Sequence, residues 1–313
     1  MSGFSTLSEK SSEYSAVVRC FQKGFLPQGI LGLLPVQKAH IITSLTQSLQ
    51  KHALVIVPDE SSAAKLCDDL RPFGASVLQY PARSFSFYSQ DTQSYEYEQK
   101  RIKTLRRMLD GDFGIIVASV EAATAFTVPP CDLLEKSVVI KRGEDVSLQK
   151  ILTALEKAGY VRVDAVEGVG QYSSRGGIVD FFSPDDEMPV RIELWGDTVD
   201  TMCHFDTQTQ RRTVNVDEIL IAPSKEIIAE PSELSEKLQK LSDAQKGKKA
   251  ESIRKNIASD IERLRNGLSV SSPDRYLPLV YSPATIFDYL DSDLVFICLL
   301  YTYLAHETHM NRV

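Results

Sequence analysis

The sequence predicts an α/β protein: a parallel-sheet domain interrupted by a small α+β domain. Three observations carry this reading. Short apolar runs alternate with helical stretches through residues 53–125, as when crossover helices cover both faces of a parallel sheet. Residues 170–212 switch to a period of two, with turn residues between the runs, the mark of strands with one buried face. A strand-type run then returns at Leu294–Ile297. The simplest topology is one parallel domain split by an insert.

Each element follows from its residues. Ala53–Val57 is a short apolar strand. Asp59 or Ser61 caps the next helix, whose buried positions are Ala64, Leu66, Cys67 and Leu70. Val77–Tyr80 is a strand ended by Pro81, and a helix over about Tyr95–Leu109 carries Ile102, Leu105, Met108 and Leu109 on one face. Phe113–Val117 is a further strand, and the following Ala118–Ala122 begins another helix. Pro129-Pro130 marks a boundary. Beyond it come a strand at Val138–Lys141, a helix at Leu148–Ala158, a strand at Val161–Val163 and then the alternating block. From Ser232 to Asn266 the chain is helical, with Leu234, Leu238, Leu241, Ile253, Ile257, Ile261, Leu264 and Leu268 at helical spacing. Gln245–Lys249 interrupts it as a basic, solvated turn, with a phosphate contact as the alternative. A short helix starts at Pro283–Thr285 before the last strand.

Bulk properties narrow the function classes. With 313 residues and 43% hydrophobic content, the chain can bury two or three packed units. A net charge of −7 argues against a strongly basic nucleic-acid binder. The cysteines at 20, 67, 131, 203 and 298 lack metal-ligand spacing, which predicts free thiols in a cytoplasmic protein and no metal site. The first ten residues have no apolar signal core, and Leu294–Ala305 is too short to span a bilayer. His306 and His309 do not form a zinc-protease helix, because Glu307 is misplaced for it.

Residues 30–42 occupy the place of a phosphate loop. The phosphate-loop pattern is Gly, four residues, Gly-Lys, then Ser or Thr. Gly32 and Lys38 are in register, but Gln37 replaces the second glycine, Ala39 replaces the hydroxyl residue, and Pro35 removes an N–H from the cradle. The loop therefore lacks both its curl and its Mg²⁺ ligand and is not expected to bind nucleotide. After the strand at residues 294–297, Cys298-Leu299 stand where a motor needs acidic residues; Asp291 and Asp293 lie at the wrong end.

The alternating block is the remaining candidate. Its water-facing positions carry Arg175, Arg191 and Trp195, and Trp and Arg supply much of the energy in protein interfaces. The structural alternative is cross-strand pairing of Arg175 and Arg191 with Glu193 or Asp180. Asp185-Asp186-Glu187 reads as an acidic turn.

Residues 170–182 (GQYSSRGGIVDFF), 189–200 (PVRIELWGDTVD) and 205–212 (FDTQTQRR) resemble the module shared by the excision-repair helicase subunit UvrB and the bacterial transcription-repair coupling factor, Mfd. The coupling factor matches better. Tyr80–Arg83, Arg101–Leu109, Val117–Val120 and Ser282–Leu290 fit it too, and the likeness runs over about 25–297. It implies a helicase-like domain with a degenerate phosphate loop, interrupted by a UvrA-binding domain. The division is then 1–130, 131–220 for the UvrA-interaction domain, 221–297 for a helical segment and return, and an atypical tail, 298–313. UvrA is the implied partner, with Arg175, Arg191 and Trp195 as docking residues. RNA polymerase, DNA, and ATP with Mg²⁺ belong to domains of the full-length family absent from this sequence, which reads as a truncated or frameshifted product. The alternative is an ATP-dependent helicase subunit like UvrB. Against it, the interval between Tyr80 and Lys100 is too short for UvrB's DNA-clamping hairpin. That makes Phe85, Phe87, Tyr88, Tyr95 and Tyr97 packing residues.

Overall fold

The computed structural model describes residues 11–83, 96–229, 231–245, 250–266, 270, 273–290 and 294–300. In chain order its elements begin with α1 (Ser12–Gln22), α2 (Pro35–Leu49), β1 (His52–Val57), α3 (Glu60–Leu70), β2 (Val77–Tyr80), α4 (Glu96–Asp110), β3 (Ile115–Ser119) and α5 (Val120–Thr124). Then come α6 (Pro130–Glu135), β4 (Val138–Lys141), α7 (Leu148–Lys157), β5 (Val161–Arg162), β6 (Gln171–Arg175), β7 (Ile178–Phe181), β8 (Val190–Trp195) and β9 (Thr198–Phe205). The chain finishes with β10 (Arg212–Asn215), β11 (Glu218–Ile221), α8 (Pro231–Ala244), α9 (Ala250–Arg265), α10 (Leu277–Val280) and β12 (Leu294–Cys298).

The chain divides into two compact units: residues 1–84, 107–125 and 289–313, and residues 85–106 and 126–288. The cut falls at 125/126, where the sequence suggested Pro130. The helical segment after residue 221 lies with the second unit up to residue 288, so only the last strand returns to the first.

The first unit is a parallel sheet in the order β12-β1-β3-β2. Its two central strands are apolar and buried almost throughout, as a sheet covered on both faces demands. Ala39, Ile42, Leu66, Cys67 and Leu70 pack on Val55, Val57, Ile115 and Val117. Asp59 caps α3 by accepting from the Ser62 N–H at 2.8 Å. Helix α3 is rotated from expectation: Ala63 is buried and Ala64 exposed, because Ala63, not its neighbour, shares the face of Leu66 and Leu70. Strand β3 starts two residues late; Phe113 instead stacks on His52, with ring centroids 4.3 Å apart.

The second unit holds a six-stranded sheet, order β10-β9-β8-β7-β6-β5, and a ribbon of β4 with β11. The helical hairpin of α8 and α9 closes on Leu234, Leu238, Ile257, Ile261 and Leu264. Ile253, expected in that core, is 40% exposed; it shares the stripe of Ile257 and Ile261 but lies in the first turn of α9. Leu268, residues 246–249, the aromatics at 85–88 and 95, Asp291, Asp293 and the histidines at 306 and 309 lie outside the described residues. A buried ion pair crosses this unit. Arg101 of α4 is fully buried, and its Nε donates to Glu226 Oε1 at 2.7 Å. Thr127 donates to the same oxygen at 3.3 Å, while the Glu226 N–H donates to Glu98 at 2.7 Å.

Candidate partner-docking face

The six-stranded sheet separates its residues by the pleat. Tyr172, Val179, Phe181, Val190, Ile192 and Met202 face inward against Ile151, Leu155 and Tyr160. Tyr160 is fixed by an edge-on contact with Phe181 at 6.0 Å and by donating to the Ala222 carbonyl at 2.8 Å. Burial pushes its phenol pKa upward. Helix α7 supplies Ile151 and Leu155 because they lie four apart on one stripe.

The opposite face carries the polar positions. The strand register places Ser173 opposite Asp180, Asp180 opposite Arg191, and Arg191 opposite Cys203. It also aligns Arg175 with Ile178, Ile178 with Glu193 and Glu193 with Thr201. The hairpin turns at Gly176-Gly177 and Gly196-Asp197 lie at the same end of the sheet. Gly176 and Gly196 have φ of +61° and +63°, a region that favours glycine. Gly177 serves a different need: a Cβ there would lie 2.9 Å from the Leu194 carbonyl oxygen. The Leu194 N–H closes this contact by donating to the Gly177 carbonyl at 2.8 Å.

Arg175 and Trp195 therefore share the exposed end of one face. Trp195 is 83% exposed. Arg175 is exposed and donates to the Asp164 carbonyl. The β8–β9 register shifts between Glu193 and Leu194, just before the indole, with Asp200 of β9 as the extra residue.

Arg191 departs from expectation. It lies on the same face, but its side chain is only 17% exposed. Nε and Nη2 donate to the two Asp180 oxygens at 2.7 and 2.8 Å. Nη1 and Nη2 reach the Gln210 carbonyl and side-chain oxygens, each at 3.3 Å. The guanidinium also lies 4.6 Å from the centroid of the buried Phe205 ring. The hydrogen bonds it donates to Asp180 raise the arginine pKa above its ordinary value, against the effect of burial. The cause is register: Asp180 stands directly opposite, and a buried carboxylate demands a partner. Glu193 pairs instead with Arg212 and accepts from the Thr201 hydroxyl at 3.2 Å. Asp180 was the partner that the cross-strand alternative offered from the sequence, and for Arg191 that pairing is the one present; Phe205, Gln210 and Arg212 were missed by sequence reasoning.

The acidic turn has chemistry of its own. Burial pushes the Asp186 carboxyl up to about 6, opposed by the positive charges of His204 and Lys103 and helped by Asp185 and Glu187. Glu187 pairs with Lys103.

The loop before α2 is largely exposed. Pro35 opens the helix, and the Gln37 Oε1 accepts from the Leu34 N–H at 2.9 Å. Gly32 keeps a φ of +80°. Lys38 is half-buried, and Ala39 is fully buried in the sheet core. The set does not fit a Mg-nucleotide: the position that should ligate the metal points into aliphatic packing. Among the described residues, no group of His, Cys, Asp and Glu is arranged to hold a metal ion, and no helix is long and apolar enough to cross a membrane.

Residues 138–227 match the family model of the UvrB interaction domain, a span displaced toward the C-terminus from the 131–220 read from the sequence. The chain is 28% identical over 309 residues to the transcription-repair-coupling factor of Bacillus subtilis (strain 168), covering 95% of the chain and 26% of that protein. It is 28% identical over 277 residues to that of Staphylococcus aureus (strain USA300), covering 85% and 24%. For Staphylococcus haemolyticus the identity is 25% over 279 residues, covering 86% and 24%. The chain thus spans about a quarter of the length of the curated relatives it matches. The resemblance read from the sequence is thereby established: a UvrB interaction domain lies within a chain that is similar, over nearly all its length, to part of a transcription-repair-coupling factor.

Proposed function

We propose that this chain is a non-catalytic recruiting module whose UvrB interaction domain docks UvrA, bringing nucleotide excision repair to a stalled RNA polymerase in the cytoplasm. The observation that carries the reading is Trp195, 83% exposed at the same end of that domain's sheet as the exposed Arg175. A single indole so placed has no role in the core, and a buried Trp is among the strongest contributors to an interface. Arg175 adds a fork of donors suited to a partner carboxylate, and Arg191, the third residue implied by the resemblance, lies on the same face in its pair with Asp180. In this reading RNA polymerase, DNA and ATP with Mg²⁺ are served by portions of the longer relatives outside the matched quarter.

The test is retention of UvrA by the immobilised chain. Wild type retains it, and Trp195→Ala loses most of it. Failure of the wild type to retain UvrA overturns the assignment. The competing reading, an ATP-dependent helicase subunit like UvrB, is separated by equilibrium binding of Mg-ATP. Micromolar affinity would favour it, and the substitutions at Gln37 and Ala39 predict none.

A further inference from the structure

We infer that Arg191 is a positioning residue of the docking face, acting through Asp180 and the loop that carries Gln210, while Arg175 and Trp195 touch the partner. This rests on the docking reading above, and it differs from the role the family resemblance implies for Arg191, which is direct contact.

The argument is an accounting of donors. A guanidinium has five N–H groups. In Arg191, Nε and Nη2 take both Asp180 oxygens, Nη2 also meets the Gln210 side chain, and Nη1 meets the Gln210 carbonyl. One face of the group is covered by Phe205. Both charged side chains are enclosed, at 17% and 12% exposure. Little of the guanidinium remains for an incoming carboxylate, and Asp180 already neutralises it.

What the group does hold is visible. It ties β7 to β8 through Asp180. It also ties β8 to the connection between β9 and β10, whose residue Gln210 has a left-handed φ of +59°. That connection is otherwise fastened by Asp206, which accepts from the Thr209 N–H at 2.7 Å, and by the Gln210 N–H donating to the Asp206 carbonyl at 2.8 Å. Its end delivers Arg212 to Glu193, two residues from Trp195 on the same strand. Removing either member of the Arg191–Asp180 pair frees the strands and the loop beneath the exposed tip.

The two roles separate by pair analysis. UvrA affinity is titrated through the fluorescence of Trp195, the single tryptophan, for wild type, Arg191→Ala, Asp180→Ala, the double alanine variant and the exchanged pair Asp180→Arg with Arg191→Asp. Thermal unfolding of each variant is followed alongside. A positioning role predicts that both single alanine variants weaken UvrA by about tenfold, that the double is no worse than either, and that the exchanged pair recovers most of the loss. Direct contact predicts that Asp180→Ala, which frees the guanidinium, binds as well as or better than wild type, and that the exchange recovers nothing. Either of those results overturns the inference, and the Asp180→Ala arm decides even if the exchanged pair does not fold. If wild type itself fails to bind UvrA, the docking reading falls and takes the inference with it. Binding by wild type without recovery removes the inference alone.

Discussion

The second unit contains two arginine–carboxylate pairs of equal closeness and different use. Arg101–Glu226 is sealed, with side chains 0% and 2% exposed. Arg191–Asp180 is enclosed at 17% and 12%. Both bring Nε to a carboxylate oxygen at 2.7 Å. The first joins residues 125 apart in sequence and is met inside the unit by Thr127. The second joins neighbouring strands, on the strand that ends in the exposed Trp195. Distance alone therefore says little about what an ion pair is for. Burial and surroundings separate a fastening inside a unit from one that shapes a surface.

Breaking the sealed pair has the largest expected effect. Glu226→Ala strands a buried guanidinium and should cost about 3–5 kcal/mol of stability, read by urea unfolding; a loss under about 1 kcal/mol would mean water reaches the site. The half-enclosed pair should be weaker: Arg191→Ala is expected to cost about 2 kcal/mol in the same assay. Trp195→Ala reverses the pattern. It should leave unfolding unchanged while lowering UvrA affinity by about 2 kcal/mol, roughly thirtyfold; equal losses in both assays would make the indole a packing residue after all.

A smaller effect comes from Asp186. Its folded pKa of about 6 is above the ordinary aspartate value, so the folded chain holds more protons than the unfolded one between those two values. Stability must then fall as pH rises through that window, and the deficit is complete above it. Asp186→Asn should stabilise by about 1–2 kcal/mol at pH 7.5 and by much less near pH 4; equal gains at both pH values would exclude titration as the cause. The rim pair ranks last: Arg212→Ala, partly solvated, should change stability by less than about 1 kcal/mol.

Much of this arrangement was legible in the sequence. The period of two in residues 178–194 gave the inner face residue by residue, because alternation alone decides which side chains meet the core. Leu234, Leu238, Ile257 and Ile261 gave the helical hairpin for the same kind of reason. The apolar Ala39 was readable as a buried position of its helix, and it lies in the sheet core. Arg191 shows where such reading stops. Alternation gave its face, but its partner depends on which residue of β7 stands opposite, and its enclosure depends on Phe205 and Gln210 from a later connection. Glu226 was wholly unreadable, since its partner lies in a helix more than a hundred residues upstream. Gln210 was hidden for another reason: a left-handed backbone usually advertises itself with glycine, and here it does not.

The close approach of Gly177 to the Leu194 carbonyl links the two hairpin tips like meshed teeth. The turn beside Arg175 cannot shift without moving the strand end that carries Trp195. Spacing between the two anchors is thus built into the backbone and does not depend on the side chains displayed there. A redesign of this surface for another target can exchange the residues at 175 and 195 freely. Lengthening either turn would move both anchors at once, and any residue larger than glycine at 177 would pry them apart before a partner arrived.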